Sequence, residues 1–114
     1  MNDCIFCKIV AGEIPSKKVY EDEKVLAFYD LNPQAPVHVL VIPKTHVTSA
    51  LDVNEDNASD VAAVFSAVPK IAESLGVAAD GFRLITNTGR HACQSVKHLH
   101  FHLIGGVQLS ENIL

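Results

Sequence analysis

The chain has no excess of basic residues, no long apolar run and few cysteines, and each shortage removes a class of function. Nine Lys and Arg stand against 13 Asp and Glu, a formal net charge of −4. A nucleic-acid groove needs clustered cations to neutralise phosphates, so nucleic acid is not an expected partner. No stretch approaches the roughly 18 consecutive apolar residues of a membrane helix, and no membrane association is expected. The opening "MNDCIFCKIV" lacks a charged region followed by a long apolar one, the pattern of a secretory leader, so a cytoplasmic location is expected. Three cysteines, an odd number with two of them in Cys4-Ile-Phe-Cys7, do not make a secreted disulfide framework. Internal repeats, low-complexity tracts and linkers are also lacking, and one domain spanning 1–114 is expected.

What is present is a core. Hydrophobic residues make up 48% of the 114 residues, enough for a single packed domain. "CIFCKIVAGEIP" predicts a short helix released at Gly12 and stopped before Pro15. "KVYED", "KVLAFYD" and "HVLVIP" predict three strands, the first two around a tight turn. Val61, Val64, Phe65, Val68, Ile71, Ala72 and Leu75 recur at helical spacing before Gly76 and predict one long helix from Asn57 to Leu75. Pro69 inside it predicts a kink or a break, because proline removes an amide from the helix ladder. "GFRLITN" and "VKHLHFHLIGG" predict two further strands flanking a turn-rich loop over 88–95. The expected class is α+β: about five antiparallel strands, one long helix and a short N-terminal helix.

Chemistry concentrates in "KHLHFHLIGG". Side chains alternate along a strand, so His98, His100 and His102 share one face and Leu99, Phe101 and Leu103 the other. A solvated face would more often carry Lys, Glu, Thr and Ser. One metal held by all three is excluded by distance: at about 3.3 Å per residue the outer rings are about 13 Å apart, against zinc–nitrogen bonds of about 2 Å. The row therefore divides into two sites that meet at His100. Cys4 and Cys7 have the Cys-x-x-Cys spacing that lets two thiolates hold one tetrahedral ion, with His46 and one end of the row available to complete the set. A redox dithiol and two small buried side chains are the competing readings. The loop "NTGRHACQSVKH" supplies Asn87, Gly89, Gln94 and Ser95 as donors able to surround a phosphate oxygen. His38 stands where it could orient a neighbouring imidazole.

The run His98-Leu99-His100-Phe101-His102-Leu103-Ile104 is the alternation that names the histidine triad superfamily. "FCKIVAGEIPSKKVYEDEKVLAFYDLNPQAPVHVLVIPKTH" and "NTGRHACQSVKHLHFHLIGG" resemble its Hint branch stretch by stretch. The resemblance implies a HIT-like fold, a homodimer with its two sheets joined, and a purine nucleotide bound beside the triad. It implies cleavage of a bond between phosphorus and a leaving group, typically the P–N bond of a nucleoside phosphoramidate. By position, His100 matches the nucleophile, His102 its phosphate-side neighbour and His38 the histidine that orients His100. Asn87 and Ser95 match phosphate-side donors, Asp30 and Leu31 the ribose contacts, and Ile5, Phe6, Ile9 and Phe28 the walls of the base pocket. Cys4, Cys7, His46 and His98 match the ligands of a structural Zn2+ in bacterial-type members, and the chemistry itself needs no metal. Two other functions stay open: hydrolysis of dinucleoside polyphosphates, as in the fragile-histidine branch, and nucleotide binding for regulation without turnover.

The chain departs from the pattern at two places. Ala92-Cys93 replaces a common Gly-Gly pair ahead of Gln-Ser-Val, placing a thiol at the phosphate loop and straining the backbone if Cys93 takes a positive φ. The tail "VQLSENIL" lacks the aromatic residue that some members carry there.

Overall fold

A computed structural model describes residues 3–114. Five strands form one antiparallel sheet: β1 (Lys18–Glu21), β2 (Val25–Tyr29), β3 (Val37–Pro43), β4 (Phe82–Ile85) and β5 (Phe101–Gly105), in the order β1-β2-β3-β5-β4. Two helices, α1 (Ile5–Val10) and α2 (Ala58–Ser74), cover it. This is the expected α+β architecture.

The sheet is buried on both faces, which explains why β2 and β3 read as nearly continuous apolar runs. Val25, Ala27, Val39, Val41, Phe101 and Leu103 face α2 and its buried Val64, Ala67, Val68, Ile71 and Ala72. Leu26, Phe28, Leu40 and Ile42 point the other way, against Phe6 and Ile9 of α1. A period of two thus assigns each strand residue to one helix or the other. His38 and His102 fall on the α1 face, since His102 pairs with Leu40 across the β3–β5 ladder.

Pro69 neither breaks α2 nor divides it; the helix runs unbroken from Ala58 to Ser74. The amide it lacks would have bonded the carbonyl of Phe65, and both residues lie on the exposed side where water can reach that carbonyl. The buried stripe on the opposite side holds the helix in place.

The final strand is shorter than expected. Its hydrogen-bonded ladder begins at Phe101 opposite Val41. Two residues further back Pro43 would oppose Leu99, and proline has no amide to donate. Residues 98–100 keep the alternation without the ladder: Leu99 and Phe101 are core, and the Leu99 amide donates instead to the Val47 carbonyl at 2.6 Å. Among the described residues no helix is long and apolar enough to cross a membrane.

Candidate active site and metal cluster

One pocket of about 1070 Å³ opens on the α1 face of the sheet. It brings together the residues that the resemblance places around a nucleotide: Ile5, Phe6, Ile9 and Phe28 along an apolar wall, Asp30 and a fully exposed Leu31 at the rim, and Asn87, Cys93 and Ser95 beside His38, His100 and His102. Ile14 and Pro15 extend the wall and Ala92 and Val96 the loop, positions that sequence spacing gives no reason to single out.

The hydrogen bonds assign a proton to each ring. His100, 6% exposed, has Nδ1 at 2.7 Å from the carbonyl of His98. A carbonyl only accepts, so Nδ1–H donates and Nε2 keeps its lone pair. At His38 the Gln34 amide donates to Nδ1 at 2.9 Å, which leaves the proton on Nε2. That Nε2–H donates to Nδ1 of His102 at 2.8 Å, so His102 carries its own proton on Nε2. Two adjacent rings, 5.3 Å apart, are therefore set with opposite polarity: His100 as a lone-pair donor and His102 as a proton donor. Burial holds the His102 imidazole below its ordinary pKa, the neighbouring His100 and His38 act in the same sense, and the Asp30 carboxylate opposes them. The neutral ring that this relay requires is the favoured form. Asp30 Oδ2 lies 3.5 Å from His38 Nε2, and Asp30 is itself steadied by the Asn32 amide at 2.8 Å on Oδ1.

Two expectations change here. His38 orients His102 rather than His100, whose ring is held by the backbone two residues upstream. Gln94 and the Gly89 amide are not phosphate donors: Gln94 is buried, accepts from Gly89 N at 3.0 Å, and donates to the carbonyls of Thr48 at 2.8 Å and Val96 at 3.0 Å. Gln94 is the internal brace of the loop, a role invisible in sequence because its main partner is 46 positions away.

Cys93 takes the positive φ that glycine would adopt freely, at φ 60° and ψ 40°, alone among the described non-glycine residues. The left-handed conformation costs an L-residue about 1–2 kcal/mol, while glycine's greater freedom in the unfolded chain costs about 0.4–1 kcal/mol. The first effect outweighs the second. Cys93→Gly is expected to stabilise the fold by about 0.5–1 kcal/mol, read as a higher urea midpoint at unchanged slope. A lower midpoint would show that the thiol's contacts outweigh the strain.

On the other side of His98 lies the cysteine–histidine cluster. One donor atom each from Cys4, Cys7, His46 and His98 lies within 4.8 Å of all the others. Cys4 Sγ is 3.3 Å from His98 Nδ1, and Cys7 Sγ is 3.3 Å from His46 Nδ1 and 3.6 Å from His98 Nδ1. A tetrahedron built on zinc bonds of about 2.0–2.3 Å has edges of about 3.3–3.8 Å, so these spacings fit that ion. The tautomer fits as well. His98 Nε2 lies 2.8 Å from the Pro43 carbonyl and must donate, which turns the Nδ1 lone pair toward the sulfurs. Burial lowers the His98 pKa, favouring the neutral, ligating form. The expected division of the histidine row is what the structure contains, with His98 on one side and His100 and His102 on the other.

An antiparallel sheet carrying alternate histidines at the mouth of one pocket defines a histidine-based α+β domain. The chain belongs to the HIT domain family, whose model matches residues 11–109. It is 46% identical over 104 residues to the purine nucleoside phosphoramidase of Escherichia coli, covering 91% of this chain and 87% of that one. It is 44% identical over 110 residues to a 14 kDa zinc-binding protein of Brassica juncea, covering 95% and 96%. The solved HIT family hydrolase from Clostridium thermocellum superposes with a TM-score of 0.96 at 51% identity, over 100% of this chain and 99% of the other. The protein is accordingly a hydrolase of this family.

Proposed function

We propose that the protein hydrolyses purine nucleoside phosphoramidates through a nucleotidyl-histidine intermediate. The observation that carries the reading is the opposite polarity of the two pocket imidazoles. His100 Nε2 would attack phosphorus, forming an N–P bond as the P–N bond of the substrate breaks. The departing amine needs a proton, and His102 Nε2–H is the group set to give one. Water then displaces His100 and releases the nucleoside monophosphate. Asn87 and Ser95 would donate to the non-bridging oxygens, Asp30 and Leu31 would contact the ribose, and Ile5, Phe6, Ile9 and Phe28 would clasp the base. The name of the Escherichia coli relative supports this substrate class.

Parallel rates decide the substrate. The kcat/KM for adenosine phosphoramidate is expected to exceed that for diadenosine polyphosphates by at least about tenfold, a difference of about 1.4 kcal/mol in transition-state binding. The reverse order would place the protein with the dinucleoside polyphosphate hydrolases, and nucleotide binding without turnover of either would make it a regulatory binder.

The cluster of Cys4, Cys7, His46 and His98 is proposed to hold one structural Zn2+. Its donor set and spacing fit the ion, and the Brassica juncea relative is named for binding it. The chain is also proposed to act as a homodimer with a sheet continued across β4. This edge strand presents unpaired backbone and an exposed Ile85. Sedimentation equilibrium is expected to give twice the chain mass, and a single-chain mass at micromolar concentration would remove the dimer from the reading.

A further inference from the structure

We propose that the cysteine–histidine cluster is a positioning centre for the nucleotide pocket, so that metal occupancy and nucleotide binding strengthen one another. The proposal rests on the reading that the cluster holds zinc and the pocket a purine nucleotide. Three connections run from the ligands, or from residues beside them, to three different parts of the pocket.

The first passes through α1. This helix is six residues long, far too short to persist by itself, and Cys4 caps it while Cys7 stands in its first turn. Phe6 lies between them. Its ring meets His98 at 5.8 Å, His100 at 5.1 Å and Phe28 at 5.5 Å, edge-on in each case. One side chain thus touches a ligand, the reacting imidazole and the base wall. Closing both thiolates on an ion fixes the turn that carries it.

The second passes along the backbone. His98 is held at Nε2 by the Pro43 carbonyl and at Nδ1 by the cluster, and its own carbonyl takes the Nδ1 proton of His100. Any turn of His98 moves the group that orients His100. The third starts at His46. The next residue, Val47, receives the Leu99 amide at 2.6 Å, and the one after it, Thr48, receives Gln94 Nε2 at 2.8 Å. Gln94 in turn braces the loop through the Gly89 amide. Base wall, nucleophile and phosphate loop each end on a ligand or on its neighbour in the chain.

Coupling between two binding sites is reciprocal: whatever factor zinc contributes to nucleotide affinity, nucleotide contributes to zinc affinity. The test measures both on the full chain. Adenosine monophosphate affinity is read by calorimetry with zinc loaded and stripped, and zinc affinity by competition with a chromophoric chelator with and without adenosine monophosphate. The expected result is a factor of at least about five in each direction, equal within error. Phe6→Leu keeps all four ligands but removes the ring contacts; zinc affinity is expected to stay within about twofold while the coupling factor falls by at least half. Equal nucleotide affinities in the loaded and stripped protein overturn the coupling and leave the two sites standing. An unchanged factor in Phe6→Leu also overturns it, showing only that zinc stabilises the whole fold. Absence of zinc binding or of nucleotide binding instead overturns the reading beneath.

Discussion

Replacing His100 with alanine is expected to lower kcat for adenosine phosphoramidate by at least about a thousandfold, equivalent to about 4 kcal/mol of barrier. The size follows from what the ring does. It supplies the atom that would bond to phosphorus, and no other described pocket residue has a ring fixed in direction by a backbone carbonyl. His102 cannot substitute, because its Nδ1 accepts from His38 and its remaining nitrogen carries the proton. Adenosine monophosphate should still bind, since the apolar wall is formed by other residues. A thermal midpoint near that of the unmodified protein would confirm that only chemistry was lost. Turnover within tenfold of the unmodified rate would exclude His100 as nucleophile.

The second large effect concerns the metal. Protein purified without added metal is expected to carry about one zinc per chain, and Cys4→Ser/Cys7→Ser to carry essentially none. Only the folded chain gathers the four donors, from positions 4, 7, 46 and 98, so the energy of binding an ion there would become folding energy. Loss of several kcal/mol in a domain of this size lowers the thermal midpoint by about 10 °C or more. A doubly substituted protein melting within about 2 °C of the original would show that the cluster contributes little to the fold.

Much of the fold and site is legible in the amino-acid sequence. The strands are legible because apolar runs sit between turn residues, and the division of the histidine row follows from rise per residue alone. The family resemblance points to the pocket residues, and the pocket contains them all. Three features are not legible. The survival of α2 across Pro69 depends on which side of the helix the unbonded carbonyl faces. The partner of His38 depends on register between β3 and β5, two strands separated by more than fifty residues. Gln94 reads as a surface donor because nothing local reveals that its side chain reaches the carbonyl of Thr48. The last two are long-range placements, and sequence periodicity reports only what lies within a few residues.

Pro43 has a consequence beyond ending a ladder. Inside a sheet, carbonyls are committed to the next strand and side chains stand clear of the backbone that carries them. Beyond that ladder residues 98–100 keep the alternation of a strand, and two backbone carbonyls hold rings there. The His98 carbonyl takes the ring of His100, and Pro43's own carbonyl takes the ring of His98. The end of the β3–β5 ladder is therefore a short stretch where backbone oxygens hold imidazoles. Lengthening the ladder by substitution at position 43 would draw the carbonyl of that residue from the ring of His98 toward the Leu99 amide, so strand length and the setting of that ring depend on one residue.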